Sequence, residues 1–186
     1  STLFDFNENF DKYLNDSIEL GRSFVQPKYW GSRALDYLWQ GIGAYLRNNP
    51  DVKYLFGPVS ISATYSKVAK DMILYFYDDN FPDKENLVNA KIPYNFKSDE
   101  TLVNNLANEL DSDDYKENFR TLKKALSGVY ANVPTMYKQY AELCEEGGIK
   151  FCAYNVDPDF SNCVDSFIVV EIDKMKEAQR KRYVQS

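Results

Sequence analysis

Between Glu19 and Ser62 the chain sets strand, loop, helix and strand in immediate succession, and few folds accommodate that order. Residues 19–25 (ELGRSFV) read as a strand. A loop with Pro27 and Gly31 leads into an amphipathic helix with Leu35, Leu38, Trp39, Ile42, Tyr45 and Leu46 on its apolar side. Pro50 closes that helix, and Tyr54 to Ser62 is a near-continuous apolar run suited to a sheet interior. A helical crossover between two strands predicts that they lie parallel. Gly57-Pro58 inside the second strand should cost one ladder bond and widen the gap to its neighbour. Where the helix opens, its free amides and the positive end of its dipole can hold an anion, commonly a phosphate.

The 186 residues fit one domain, and 15 Tyr and 12 Phe predict a core dense with rings. A net charge of −6 argues against a nucleic-acid binder, which needs clustered Lys and Arg. No apolar run reaches the roughly 18 residues of a membrane span, and the first residues do not read as a signal peptide, so a cytoplasmic location is expected. Histidine is absent, which removes His-based triads and the usual zinc sites; any acid or base must be a carboxylate, Tyr, Lys or Cys. Cys144, Cys152 and Cys163 have no metal-binding spacing and read as buried thiols. No metal is expected.

Along the rest of the chain, residues 2–6 alternate as a short strand, and Ser66 to Tyr77 reads as a helix burying Val68, Ala69, Met72, Ile73 and Phe76. Three further helices are predicted over Asp99 to Leu110 (Leu102, Val103, Leu106, Leu110), Asp113 to Tyr130, and Pro134 to the Gly147-Gly148 stop. Ile149 to Val156 and Val164 to Ile172, joined by the turn-rich DPDFSN, read as a closing antiparallel pair. Asp157 and Asp159 are turn formers or ligands for a cationic acceptor. The tail KMKEAQRKRY reads as a short basic helix, either solvated or touching anionic lipid or an acidic partner, which would make the protein peripheral at the inner membrane face. In the first strand, strict alternation puts Glu19 and Arg22 on opposite faces; a bulge at Gly21 would bring them together, and a plain surface ion pair is the alternative.

The run V-Q-P-K-Y-W-G-S-R-A-L (Val25 to Leu35) resembles the V-x-P-x-Y-R-G-x-G-I-G pyrophosphate loop of the GNAT N-acyltransferase superfamily. ELGRSFVQPKYWGSRALDYLWQGIGAYL followed by YLFGPVSIS is similar, more specifically, to the hemolysin-labelled ornithine-lipid N-acyltransferases, some of which are fused to a phospholipid-type acyltransferase domain. The E-x-x-R of Glu19 and Arg22 also resembles acyl-homoserine-lactone synthases. The resemblance implies an α/β (α+β) domain with a GNAT-like mixed sheet and a splayed central strand pair. It divides the domain into an acyl-donor core over residues 19–77, a helical insertion over 83–146 that could cover a long acyl chain, and closing strands over 149–172. Because the superfamily lays down three strands before its fourth, here residues 19–25, the resemblance also implies that the N-terminal strands are missing from this chain. An unpaired sheet edge, open to a second copy in a homodimer, would follow.

The same resemblance implies transfer of a (3-hydroxy)acyl group from acyl carrier protein to the α-amine of ornithine or a similar amino acid. Glu19 would be the base, Arg22 would hold it or the acceptor's carboxylate, and Tyr65, with Tyr75 and Tyr77 behind it, would protonate the thiolate. Strand amides near Phe24 or Val25 would polarise the thioester, and Trp30, Gly31, Ser32 and Arg33 would meet the donor. The superfamily's loop Arg and two later glycines are Trp30, Arg33 and Leu35 here. These side chains crowd a coenzyme A pyrophosphate and favour the single phosphate of acyl-phosphopantetheine on a carrier. A coenzyme A dependent acetyltransferase, and a non-catalytic module that binds a carrier or partner domain, are the alternatives. No permanently bound cofactor is expected.

Overall fold

The computed structural model describes residues 1–96, 100–110, 112 and 114–185, with the side chains of 100–103 left undescribed. The chain runs β1 (Phe4–Phe6), α1 (Asp11–Leu14), β2 (Ser17–Glu19), α2 (Ala34–Asn48), β3 (Tyr54–Ile61), α3 (Lys67–Asn80), β4 (Val88–Ala90), α4 (Glu100–Glu109), α5 (Tyr115–Gly128), α6 (Thr135–Ala141), β5 (Ile149–Asp157), β6 (Cys163–Glu171) and α7 (Glu177–Tyr183). Four strands form a mixed sheet in the order β2-β3-β6-β5, with β2 parallel to β3 and the other pairs antiparallel; β1 and β4 form a separate antiparallel ribbon. The parallel crossover and the closing antiparallel pair are as the sequence predicts. The predicted helix ends at Asp99 and Asp113, and the side chains of Leu102 and Val103, lie outside the described residues.

Alternation along the strands divides the core. One sheet face offers Leu55, Val59, Ile61, Val164, Ile168 and Val170 to a cluster with Trp39 and Leu46 of α2, Ala69 to Tyr77 of α3, and Leu122, Leu126 and Tyr137 of α5 and α6. The other face puts Phe56, Phe167 and Val169 against Phe4, Phe10, Tyr13, Leu87 and Val88 of the ribbon and α1. Phe10 meets the Phe56 and Phe167 rings at 5.2 and 5.7 Å, edge to face, so the small layer is held by ring contacts as well as by burial. The predicted insertion is a packed part of the core, since Leu106, Leu122, Leu126, Tyr137 and Tyr140 are all buried.

Glu85 locks this second layer. Its carboxylate accepts from Lys12 and Tyr13 of α1 and, at 2.6 Å, from Lys150 of β5. Burial alone would raise its pKa, but these donors outweigh burial and bring it down to about 2 from an ordinary 4.5. A carboxylate depressed on folding adds stability above its unfolded pKa and loses it as pH falls through the folded value. The urea midpoint is therefore expected to drop between about pH 4.5 and about pH 2, and Glu85→Gln should flatten that segment of the curve.

Two predicted helices differ in the structure. The helix from Pro134 ends at Ala141, because residues 143–145 turn to pair with the chain before α7: Glu145 N–H donates to the Lys174 carbonyl and Lys176 N–H to that of Leu143. The basic tail does form a helix, but it is docked. Tyr183 is buried against Trp39, and a Cβ built on Gly43 of α2 would overlap the Tyr183 carbonyl. Only a glycine lets the two backbones approach so closely.

Candidate functional site

The site begins where two parallel strands part. Leu20 N–H donates to the Phe56 carbonyl at 2.7 Å, and the parallel register would next call for residue 58 to donate to the Leu20 carbonyl. Residue 58 is Pro58, which has no N–H, so the ladder stops. Gly57 sits at φ +153°, where a Cβ would come within 2.5 Å of the Leu20 oxygen. From there β3 continues to Ile61 along β6, while the segment after Leu20 leaves the sheet. The Gly57-Pro58 pair thus opens the sheet as the sequence predicts.

The first strand is shorter than expected. β2 covers Ser17–Glu19 instead of residues 19–25, so Phe24 and Val25 lie in an irregular segment and not on a strand. No bulge forms at Gly21; the strand ends, and Arg22 at φ +56° turns the chain away. The reason is the lost ladder: without a partner past Leu20 the segment has no sheet bonds to keep it extended, and Phe24 stands exposed. Glu19 and Arg22 form no ion pair among the described residues, and both are exposed. Glu19 sits beside Phe56 on the ribbon side of the sheet, one residue before the strands part, with its carboxylate turned over Gly21.

The departing segment builds a loop over the start of α2. A 3-10 turn at Pro27–Tyr29 leads to Trp30, whose indole N–H donates to the Val25 carbonyl at 2.8 Å, and Gly31 takes φ +73°. Ser32 Oγ donates to the Tyr29 carbonyl at 2.5 Å and accepts from Ala34 N–H at 3.2 Å, tying the loop to the helix start. A cleft of about 550 Å³ lies here, lined by Val25, Tyr29, Trp30, Gly31, Ser32 and Arg33 together with Thr135, Gln139 and Arg182. All the predicted donor residues except Phe24 line it.

In the wall of the cleft is a charged cluster that sequence reading missed. Asp36, 8% exposed, accepts from Arg33 at 2.9 Å, from Arg182 at 2.6 Å and from the Tyr183 hydroxyl at 3.3 Å. The Arg33 bond, opposed by burial and reinforced by Arg182, lowers the Asp36 pKa, so the carboxylate stays ionised. An Arg three residues before a helical Asp is a signal within reach of a sequence; one 146 residues away is not.

The remaining candidates are dispersed. Tyr65 is half-buried in the turn before α3, where Ser66 caps the helix through Ala69 N–H; burial raises the pKa of its hydroxyl and keeps it protonated. Tyr75 is partly buried, and Tyr77 is a fully buried core ring. Asp157 accepts from Asp159 N–H and Phe160 N–H in the β5–β6 turn, which is the turn-forming role; Asp159 is exposed. The hairpin also sets Asp157 within 4.8 Å of ligand-capable atoms of Cys163 and Asp165, and Asp165, buried, takes a hydrogen bond from Ser60 on the freed end of β3. Burial raises the Asp165 pKa, against the pull of the Ser60 bond. Cys144 and Cys163 are buried thiols with pKa values pushed up to about 12, which leaves them unreactive at neutral pH.

A parallel pair that parts before the loop into α2, in a mixed sheet with α2 to α7 on one face and β1, β4 and α1 on the other, is a mixed α/β arrangement consistent with a GNAT-like fold. In agreement, residues 1–40 match the family described as Acetyltransferase (GNAT) domain. The chain is 31% identical over 192 residues to a "Glycine N(alpha)-acyltransferase" of Phocaeicola vulgatus, an alignment covering 99% of this chain and 57% of that protein. It is likewise 31% identical over 194 residues to the protein of the same name from Bacteroides thetaiotaomicron, covering 100% and 56%. The chain thus spans somewhat more than half the length of these relatives. No solved structure matches it. Among the described residues no helix is long and apolar enough to cross a membrane.

Proposed function

We propose that this chain forms the thioester-holding part of an N-acyltransferase site that moves a long acyl group from phosphopantetheine to the α-amine of a small amino acid, as in membrane-lipid synthesis. The observation that carries the reading is the parting of β2 from β3 at Leu20 and Pro58, after which the segment from β2 runs into the loop that lines the cleft at the start of α2. A pantetheine arm is an extended chain with amide groups, and an opened strand pair offers it unsatisfied backbone partners of the same kind. The amine nitrogen attacks the thioester carbonyl, the C–N bond forms and the C–S bond breaks. The ammonium proton passes to Glu19, directly or through water, and the thiolate takes one from Tyr65 or solvent.

Acyl carrier protein is the favoured donor, because Trp30 and Arg33 put side chains along the loop where a nucleotide's pyrophosphate needs bare backbone. The names of the relatives favour glycine as acceptor, and the resemblance to ornithine-lipid enzymes favours ornithine. Both present an α-amine and an α-carboxylate, the latter within the chemistry of Arg22, while ornithine's side chain would seek Asp157 or Asp159. An associated lipid acyltransferase that esterifies the product, and pairing of two copies through the outer edge of β2, belong to the same proposal.

The test is aminolysis by the full-length protein, with 3-hydroxyacyl carrier protein or acyl-coenzyme A as donor and glycine or ornithine as acceptor, followed by mass spectrometry of the N-acyl product. Product from the carrier donor with either amino acid supports the reading, and the ratio of kcat/KM values names the acceptor. Equal use of coenzyme A would overturn the donor assignment, and no product with any pair would overturn the function.

A further inference from the structure

We infer that the C-terminal helix is part of the donor site, and that Arg182, locked to Arg33 through the buried Asp36, forms with it a clamp for one phosphodiester. The inference rests on the proposed thioester chemistry and assigns it a residue from the far end of the chain.

Both guanidiniums spend one hydrogen bond on the same carboxylate. Each also lies over a ring, Arg33 over Tyr37 and Arg182 over Tyr183, yet the Arg33 side chain is 70% and the Arg182 side chain 55% exposed, and both line the 550 Å³ cleft. Two positive charges against one negative leave a single net positive charge, with most of ten N–H donors still unspent. That balance suits a group with one negative charge and two free oxygens that can each accept from a guanidinium. A phosphodiester linking pantetheine to a serine of a carrier has this character; coenzyme A adds a second phosphate and a 3′-phosphate that the clamp leaves unmatched.

The position is fixed by more than the ion pairs. Gly43 allows α7 to seat on α2 at the Tyr183 carbonyl, and the Tyr183 hydroxyl bonds Asp36, so Arg182 leaves the helix at a set height beside the loop. Asp36 is the positioning residue. It holds both arms spread at the cleft wall while it is itself withdrawn from solvent. The arrangement would keep the arms pre-organised for a ligand without folding them onto each other.

Calorimetry on the full-length protein with 4′-phosphopantetheinyl serine, which carries the diester, and with pantetheine and coenzyme A reads this directly. The phosphorylated arm is expected to bind about tenfold or more tighter than pantetheine, the scale of a charge-assisted hydrogen bond. Arg182→Ala should shrink that ratio to about twofold, and Arg182→Lys, which keeps the charge and loses the fork, should retain part of it. Melting curves for both variants check that α7 remains docked; if the alanine variant melts early, the lysine variant carries the comparison. An unchanged ratio in Arg182→Ala and Arg182→Lys would overturn the clamp, as would coenzyme A binding tighter than the serine diester. Failure of the functional reading appears elsewhere, as absence of aminolysis, and leaves this binding ratio to be read on its own.

Discussion

Gly43→Ala is expected to unseat the C-terminal helix, whereas Gly41→Ala, two residues earlier in α2, is expected to stabilise the protein. A methyl on Gly41 meets nothing within 4 Å, so the change should gain up to about 1 kcal/mol, the helix-propensity difference between the two residues. At Gly43 the same gain is opposed by overlap with the Tyr183 carbonyl, a backbone atom that cannot rotate aside. Overpacking costs typically about 1–3 kcal/mol, and contact with backbone places this case at the upper end, so a net loss of about 2 kcal/mol is expected. Urea midpoints of the two variants should therefore move in opposite directions. Because Arg182 rides on the displaced helix, Gly43→Ala should also weaken phosphopantetheine binding. Equal midpoints for both variants would mean that α7 does not rest on Gly43.

In the full-length protein, Glu19→Gln is expected to lower kcat with glycine or ornithine by about 100-fold or more, the scale of a lost general base. Glutamine keeps the shape and removes the proton acceptor. Glu19 stands on the ribbon side of the sheet one residue before the strands part, exposed and with no ion pair among the described residues, so an incoming ammonium would find a free carboxylate. Its removal should leave donor KM nearly unchanged, because the loop and the cleft are built by other residues. Turnover at the parent rate across the pH range would make Glu19 structural and pass the base role to water or another group.

The strand, loop, helix and strand order was legible because it rests on local rules: apolar periodicity, a Pro that ends a helix, and a helical crossover that forces parallel strands. Pro58 was legible for the same reason, since a missing N–H breaks a ladder wherever the residue is placed. The boundaries of β2 were not. Residues 19–25 have strand character, but a strand needs a partner, and the absence of one past Leu20 is a property of the neighbour and not of the segment. The Glu19 and Arg22 pairing failed with it, because the turn at Arg22 replaced a bulge. The basic tail misled in another way: Arg180, Lys181 and Arg182 look solvated by composition, and docking depends on a glycine of another helix. The sequence alone determined the mixed α/β order, the aromatic core and the place where the sheet opens. Tertiary structure alone decided that Arg33 and Arg182 share Asp36, because that contact joins residues 146 apart, and no local pattern encodes which distant side chains one buried carboxylate will gather.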